Sequence, residues 1–138
     1  MPGPHDDLIV FERLDFVYLP SRDVAAEAEH LRLGLGAELV FAIEAFGTRV
    51  AMLRPTSEPP AVLLAGHLEG DRPVLVYRAR DLERAISRLE ERDVTVATRF
   101  EIPHGPGAEI ALPGPQRIAL YELTRPEAAE RLAGRRDF

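Results

Sequence analysis

Apolar and polar residues alternate over 13–19, "RLDFVYL", and the stretch is rich in aromatic and β-branched side chains, so it predicts a β-strand. "PSRD" interrupts the alternation with a proline and capping-type residues. The period then changes: Val24, Ala28, Leu31 and Leu35 recur near helical spacing and the run ends in glycine, predicting a C-capped helix over 22–35. "AELVFAIEA" and "TRVAMLR" flank "FG" and predict a hairpin with strands at 37–44 and 48–54. "TSEPP" reads as a loop, and "AVLLAGH" at 61–67 as a largely buried strand.

The same order then returns. Strands are predicted at 73–79, 94–101, 108–112 and 116–123. "RDLERAISRLEERD" predicts a helix over 81–92 with Leu82, Ile86 and Leu89 on one face, and "PHGPG" and "PGP" read as turns. The tail "TRPEAAERLAGRRDF" carries a proline where a short terminal helix would start. Arg22-Asp23-Val24 opens the first helix and Arg80-Asp81-Leu82 the second, an offset of 81 − 23 = 58. The same offset carries Phe16 to Val74, Gly47 to Gly105 and Ala61 to Ala119. A repeated βαβββ unit cannot bury its sheet face alone, so the two copies must pack on each other or on a partner chain. The expected fold is α+β, a single domain over 1–138 built from repeats at about 12–68 and 73–124, with a short helical tail.

Composition narrows the chemistry. At 138 residues the chain fits one domain with a real core. The absence of cysteine excludes disulfides, thiolate catalysis and Cys-type zinc sites. The absence of lysine excludes a Schiff-base nucleophile. All basic residues are arginines and Ala, Gly, Pro and Leu abound, as expected of a GC-rich bacterial genome. No apolar run is long enough to span a bilayer, and "MPGPHDDLIV" lacks the pattern of a signal peptide, so the expected location is the cytoplasm. The formal net charge of −6 weighs against nucleic-acid binding and for neutral or cationic ligands.

"LDFVYLPSRD", "VLVYRARDLERAISRLEERDV", "EIPHGPG" and "PGPQRIALYEL" together make the chain resemble the vicinal oxygen chelate superfamily over about residues 12–124, the second half more closely than the first. That group includes glyoxalase I, bleomycin-resistance proteins, fosfomycin-resistance enzymes and extradiol dioxygenases. The resemblance implies curved mixed sheets around a cavity. In metal-binding members, four inner strands supply His or Gln, Glu, His and Glu to a divalent cation that chelates two substrate oxygens. Carried onto this sequence, those positions fall in that order on Phe16, Ala61, Val74 and Ala119, with Leu63 in place of Ala61 if that strand slips by two. None of these side chains is a metal ligand, so neither metal nor other cofactor is expected. Glu122 is the obvious rescue candidate, but strand alternation turns it away from the side of Ala119 and Tyr121.

The same alternation selects what lines the cavity instead. With Phe16, Val74 and Ala119 inward, Tyr18, Val76, Arg78, Arg117 and Tyr121 share their side, and the fourth strand adds Leu63 and His67 at its end. Arg78 and Arg117 could hold a carboxylate or phosphate, or pair with surface acids at the rim. Tyr18 and Tyr121 could stack on a ring, or be core residues with a wet hydroxyl. Phe16 reads best as packing in the space a metal would take. His104, in the "PHGPG" turn at the expected cavity mouth, and Tyr121 are the candidate proton carriers, with a plain turn histidine as the alternative for the former. His5 falls in a loose terminus and His30 on an exposed helix face.

The function that follows is a metal-free protein of this type holding a small organic ligand, possible roles being drug or metabolite sequestration as in the bleomycin-resistance relatives. The alternative is a metal-dependent lyase, isomerase or oxygenase with displaced ligands such as His67, His104 and Glu122. A third reading is a metal-independent enzyme using His104 or Tyr121. Expected partners are the ligand and a second copy in a homodimer, with no nucleic acid and no membrane.

Overall fold

The computed structural model describes residues 11–45 and 47–138, which leaves His5 outside the described residues. The first unit consists of β1 (Arg13–Pro20), α1 (Val24–Glu29), β2 (Glu38–Ala45), β3 (Thr48–Arg54) and β4 (Ala61–Ala65). The second consists of β5 (Val74–Ala79), α2 (Leu82–Glu90), β6 (Val96–Ile102), β7 (Gly105–Ile110) and β8 (Ile118–Glu122), followed by α3 (Ala128–Leu132). All strands join one eight-stranded sheet in the order β2-β3-β4-β1-β5-β8-β7-β6. It is the curled, mixed sheet of an α+β half-barrel, as the repeat predicts. The units meet within one chain, through the antiparallel pair of β1 and β5. Each of those strands also pairs in parallel with the last strand of its own unit, β1 with β4 and β5 with β8.

The two helices cover the convex face and start in the same way. Asp23 accepts from the Ala26 amide at 3.1 Å, and Asp81 accepts from the Arg84 amide at 3.1 Å. Val24 and Ala28 of α1, and Leu82, Ala85 and Ile86 of α2, are buried against the sheet. The first helix is shorter than the apolar spacing predicts. After Glu29 the chain widens into a π-helical turn, His30–Gly34, which rotates the following residues off the sheet. Leu35, expected on the buried face, is 72 % exposed for that reason, while His30 is exposed as expected.

The repeat is not uniform. The offset of 58 holds for β1 against β5 and for the helix caps. The first hairpin closes at Ala45 and Thr48 and the second at Ile102 and Gly105, an offset of 102 − 45 = 57. In the final strands Val50 faces Ala65 while Gly107 faces Tyr121, an offset of 121 − 65 = 56. Ala119 therefore corresponds to Leu63 rather than Ala61, the two-residue slip that the sequence leaves open. A bulge lies in the same place in both hairpins, between Leu39 and Phe41 and between Val96 and Thr98.

"PHGPG" is not the turn it resembles. The turn is confined to Pro103 and His104, and Gly105–Ile110 is strand β7. The glycines are there for clearance. A Cβ on Gly105 would run into the backbone carbonyl of Glu122, and one on Gly107 would meet the Phe100 ring.

The C-terminal segment does more than form a helix. Arg125 ties its start to the second hairpin, donating to the carbonyls of Ile102 and Pro103 at 2.9 Å each and to Glu101 at 2.7 Å. Leu132 packs onto the inner core. Residues beyond it run along the free edge of β2: the Gly134 amide donates to Val40 (2.8 Å), Ala42 to Arg135 (2.9 Å) and Asp137 to Ala42 (2.7 Å). The Asp137 carboxylate also accepts from the Glu44 amide at 2.8 Å, and the Arg49 guanidinium lies 4.7 Å from the centre of the Phe138 ring. The equivalent edge on the other side, β6, carries no such cover among the described residues, and most of its own residues are exposed.

Candidate functional site

The concave face is packed. Phe16, Tyr18, Phe41, Met52, Ala61, Leu63, Val74, Val76, Ala119 and Tyr121 form one buried cluster across its middle. Phe16 stands beside Ala61 on one side and Val76 on the other, and Val76 beside Ala119. These include every position at which the resemblance would set a metal ligand, and each is 6 % exposed or less. Hydrocarbon offers a divalent ion no donor in return for its hydration, so this centre does not fit a metal. The displaced ligands of the alternative reading do not converge. Glu122 points to the helix side, where Oε1 accepts from the Leu82 amide at 2.9 Å. His67 and His104 have different neighbours, and no group of three or more His, Cys, Asp or Glu side chains gathers as a metal site among the described residues.

Polar chemistry lies at one end of this core, in a cavity of about 350 Å³ lined by β1, β5, β8, the 54–61 loop, the second hairpin turn and the C-terminal segment. Its centre is Asp15, only 5 % exposed. The β1–β5 register shifts between Leu14 and Phe16, so Asp15 is the extra residue of a bulge. Plain alternation would put Asp15 on the opposite side from Phe16; the bulge brings it into the same cavity. Its Oδ1 accepts from Arg13 Nε at 2.6 Å. Its Oδ2 accepts a short hydrogen bond from the Tyr121 hydroxyl and lies 3.6 Å from Arg78 Nε. Arg13 and Arg78 are partners across the β1–β5 ladder, and Tyr121 stands beside Arg78 on β8, so three strands deliver the cluster at one level.

His104 closes the side of this cavity. The turn buries it to 5 % exposure, with its ring 4.8 Å from that of Phe16, and Nδ1 has no hydrogen-bond partner. Burial lowers its pKa, with a smaller opposing pull from the Asp15 charge, so the ring is neutral at pH 7. Burial and the Asp15 carboxylate together raise the pKa of Tyr121, which keeps its proton. At the rim, Arg54 is exposed and makes no ion pair or hydrogen bond among the described residues.

The other candidates lie elsewhere. The Tyr18 hydroxyl is 3.1 Å from His67 Nε2, and His67 Nδ1 is 3.1 Å from Thr48 Oγ1. Burial pushes the Tyr18 pKa up to about 12. His67 borders a second, mostly apolar groove of about 630 Å³ between the two hairpin ends. Arg117 joins neither cavity. Its guanidinium is clamped by Glu109 at 3.0 and 3.1 Å and by the carbonyls of Glu69 (2.8 Å) and Arg72 (3.1 Å). Of the residues predicted from sequence, Phe16, Arg78, His104 and Tyr121 come together; Tyr18 and His67 form a separate pair; Leu63, Val74, Val76 and Ala119 are packing between. Asp15, Arg13 and Arg54 were not predicted. The signal for Asp15 was a carboxylate inside an otherwise apolar strand, preceded two residues earlier by an arginine.

No protein-family model matches the chain, and no curated protein matches it significantly. Solved structures do. A methylmalonyl-CoA epimerase from Mycobacterium tuberculosis superposes with a TM-score of 0.70 at 21 % identity, over 94 % of this chain and 97 % of that one. A hypothetical protein from Bacillus halodurans C-125 gives 0.68 at 13 % identity, over 80 % and 93 %. A glyoxalase I mutant from Zea mays gives 0.61 at 15 % identity, over 84 % of this chain and 44 % of the other. The fold is that of the vicinal oxygen chelate proteins.

Proposed function

We propose that the chain is a metal-independent protein of this fold that binds a small organic molecule in the cavity around Asp15, Arg78, His104 and Tyr121. The observation that carries this reading is the pairing of an all-apolar centre with a built polar cluster beside it. The cavity has the size and the mix of apolar wall and few polar groups that small-molecule sites share. Holding a ligand, as in sequestration of a drug or metabolite, is favoured over turnover. Asp15 spends both oxygens on protein donors and Tyr121 keeps its proton, which leaves His104 as the one uncommitted acid–base group in the cluster. The purified protein should carry no stoichiometric Zn, Ni, Fe, Mn or Mg, and chelators should leave its melting temperature unchanged. One transition ion per chain in metal analysis would sink this reading and restore the metal-dependent enzyme.

The same reading includes a homodimer. One sheet edge is covered by the chain's own tail, the other, β6, is bare among the described residues, and pairing a bare edge with a second copy is a common remedy. Sedimentation at micromolar concentration showing only a 15.3 kDa species would count against it.

A further inference from the structure

The cavity's own charge points to a ligand class opposite to that suggested by the whole chain. Three guanidinium groups, those of Arg13, Arg54 and Arg78, line it, against two carboxylates, Asp15 and Glu58. His104 is neutral. Asp15 is not available to a ligand. Its oxygens accept from Arg13 Nε and the Tyr121 hydroxyl, and one lies 3.6 Å from an Arg78 Nε that has no hydrogen-bond partner among the described residues, so it acts as the counter-ion to both arginines. Both arginines approach Asp15 through Nε, and their Nη groups make no hydrogen bond among the described residues. Arg54 is uncommitted altogether among the described residues. The remaining wall is apolar: Phe16, Met52, Ala61, Leu123, Pro126 and Ala129.

We infer that this cavity is a receptor for an amphipathic monocarboxylate, its carboxylate held by the Nη groups of Arg54 and Arg78 and its hydrocarbon body against Phe16 and Met52. The inference rests on the ligand-cavity reading above and adds the ligand's charge and shape. A guanidinium presents paired donors that match a planar carboxylate. One excess positive charge suits a monoanion, and the two resident carboxylates disfavour a dianion. The protein's net charge of −6 attracts cations at long range, but a partly buried local field decides what is held.

The test uses the full chain and matched probes: 3-phenylpropionate, 3-phenylpropanamide, 3-phenylpropylamine and phenyl phosphate, followed by calorimetry and by two-dimensional NMR. The carboxylate should bind saturably with a Kd of about 1 mM or tighter, as a fragment of this size can. The amide and the amine, which lose the charge-assisted hydrogen bond, and the phosphate, whose second charge the two resident carboxylates oppose, should each bind at least about tenfold more weakly. Arg54→Gln, at an exposed side chain with no partner among the described residues, should weaken the carboxylate by about tenfold and leave the amide unchanged. The double variant Asp15→Asn with Arg78→Gln removes one charge of each sign and should abolish the preference for acid over amide. Equal binding of acid and amide overturns the inference and leaves the cavity reading standing. Tighter binding of the amine or the phosphate overturns it likewise. If none of the probes binds and the protein is metal-free, the inference fails alone; if none binds and one transition ion co-purifies per chain, both readings fail.

Discussion

Tyr121 and His104 show how single side chains hold the polar cluster together inside an apolar surround. Tyr121→Phe removes the hydroxyl donor from a buried carboxylate and should cost about 1–3 kcal/mol, measured by urea denaturation. His104 is held neutral by burial, so its folded pKa lies below its unfolded value. The unfolded chain then takes up the proton first as pH falls. The stabilising contribution is therefore present above about pH 6.5 and is lost progressively below it. The stability gap between the wild type and His104→Gln should be largest near pH 8 and shrink towards pH 5. A gap independent of pH would mean that the imidazole is not held neutral. Alternation made Arg78 and Tyr121 legible as inward residues, because each lies on a regular stretch of strand. It gave no hint of Asp15, because one extra residue between Leu14 and Phe16 reverses the parity that alternation depends on. Arg117 was also legible as inward-side by parity, yet its length lets it reach sideways to Glu109 and two carbonyls.

Elements were more legible than their ends. The order of strands and helices followed from the change of period at the two Arg-Asp helix starts, and the identical caps bear that out. The second hairpin was misread because glycine and proline signal a turn in sequence, whereas here Gly105 and Gly107 serve close packing. That difference has a measurable consequence. Gly105→Ala places a methyl group against the fixed carbonyl of Glu122 and should destabilise by about 3 kcal/mol or more. Gly114→Ala meets only the flexible end of Gln116 and should cost under about 1 kcal/mol. Thermal melts of the two variants compare them directly, and similar melting temperatures would show that Gly105 does have room to yield. Glu122, the carboxylate that the sequence offers as a displaced ligand, instead ties β8 to the first turn of α2. Glu122→Ala should cost about 1 kcal/mol without altering ligand binding in the cavity.

At the scale of the whole molecule, the pseudo-symmetry of the two units is broken by the tail. Residues after β8 leave the second unit, roof the cavity with Pro126 and Ala129, and end on the far edge of the first unit at β2. The roof is therefore fastened at both ends, by Arg125 at the second hairpin and by the edge hydrogen bonds at β2, and the β2 bonds are the fastening that lies away from the cavity walls. A roof that opened at that fastening would set how long a guest of the proposed kind stays rather than how tightly it is held. Removing residues 134–138 should leave the Kd for 3-phenylpropionate within about twofold while both association and dissociation accelerate by a common factor, read from NMR line shapes. The amide protons of Ala42 and Gly134 should exchange at the rate of roof opening in the intact chain. Unchanged rates in the shortened chain would mean that the guest enters by another route. If the rates do rise together, whatever competes for the edge of β2 also hastens release of the guest, so occupancy of the sheet edge and residence in the cavity become one linked quantity.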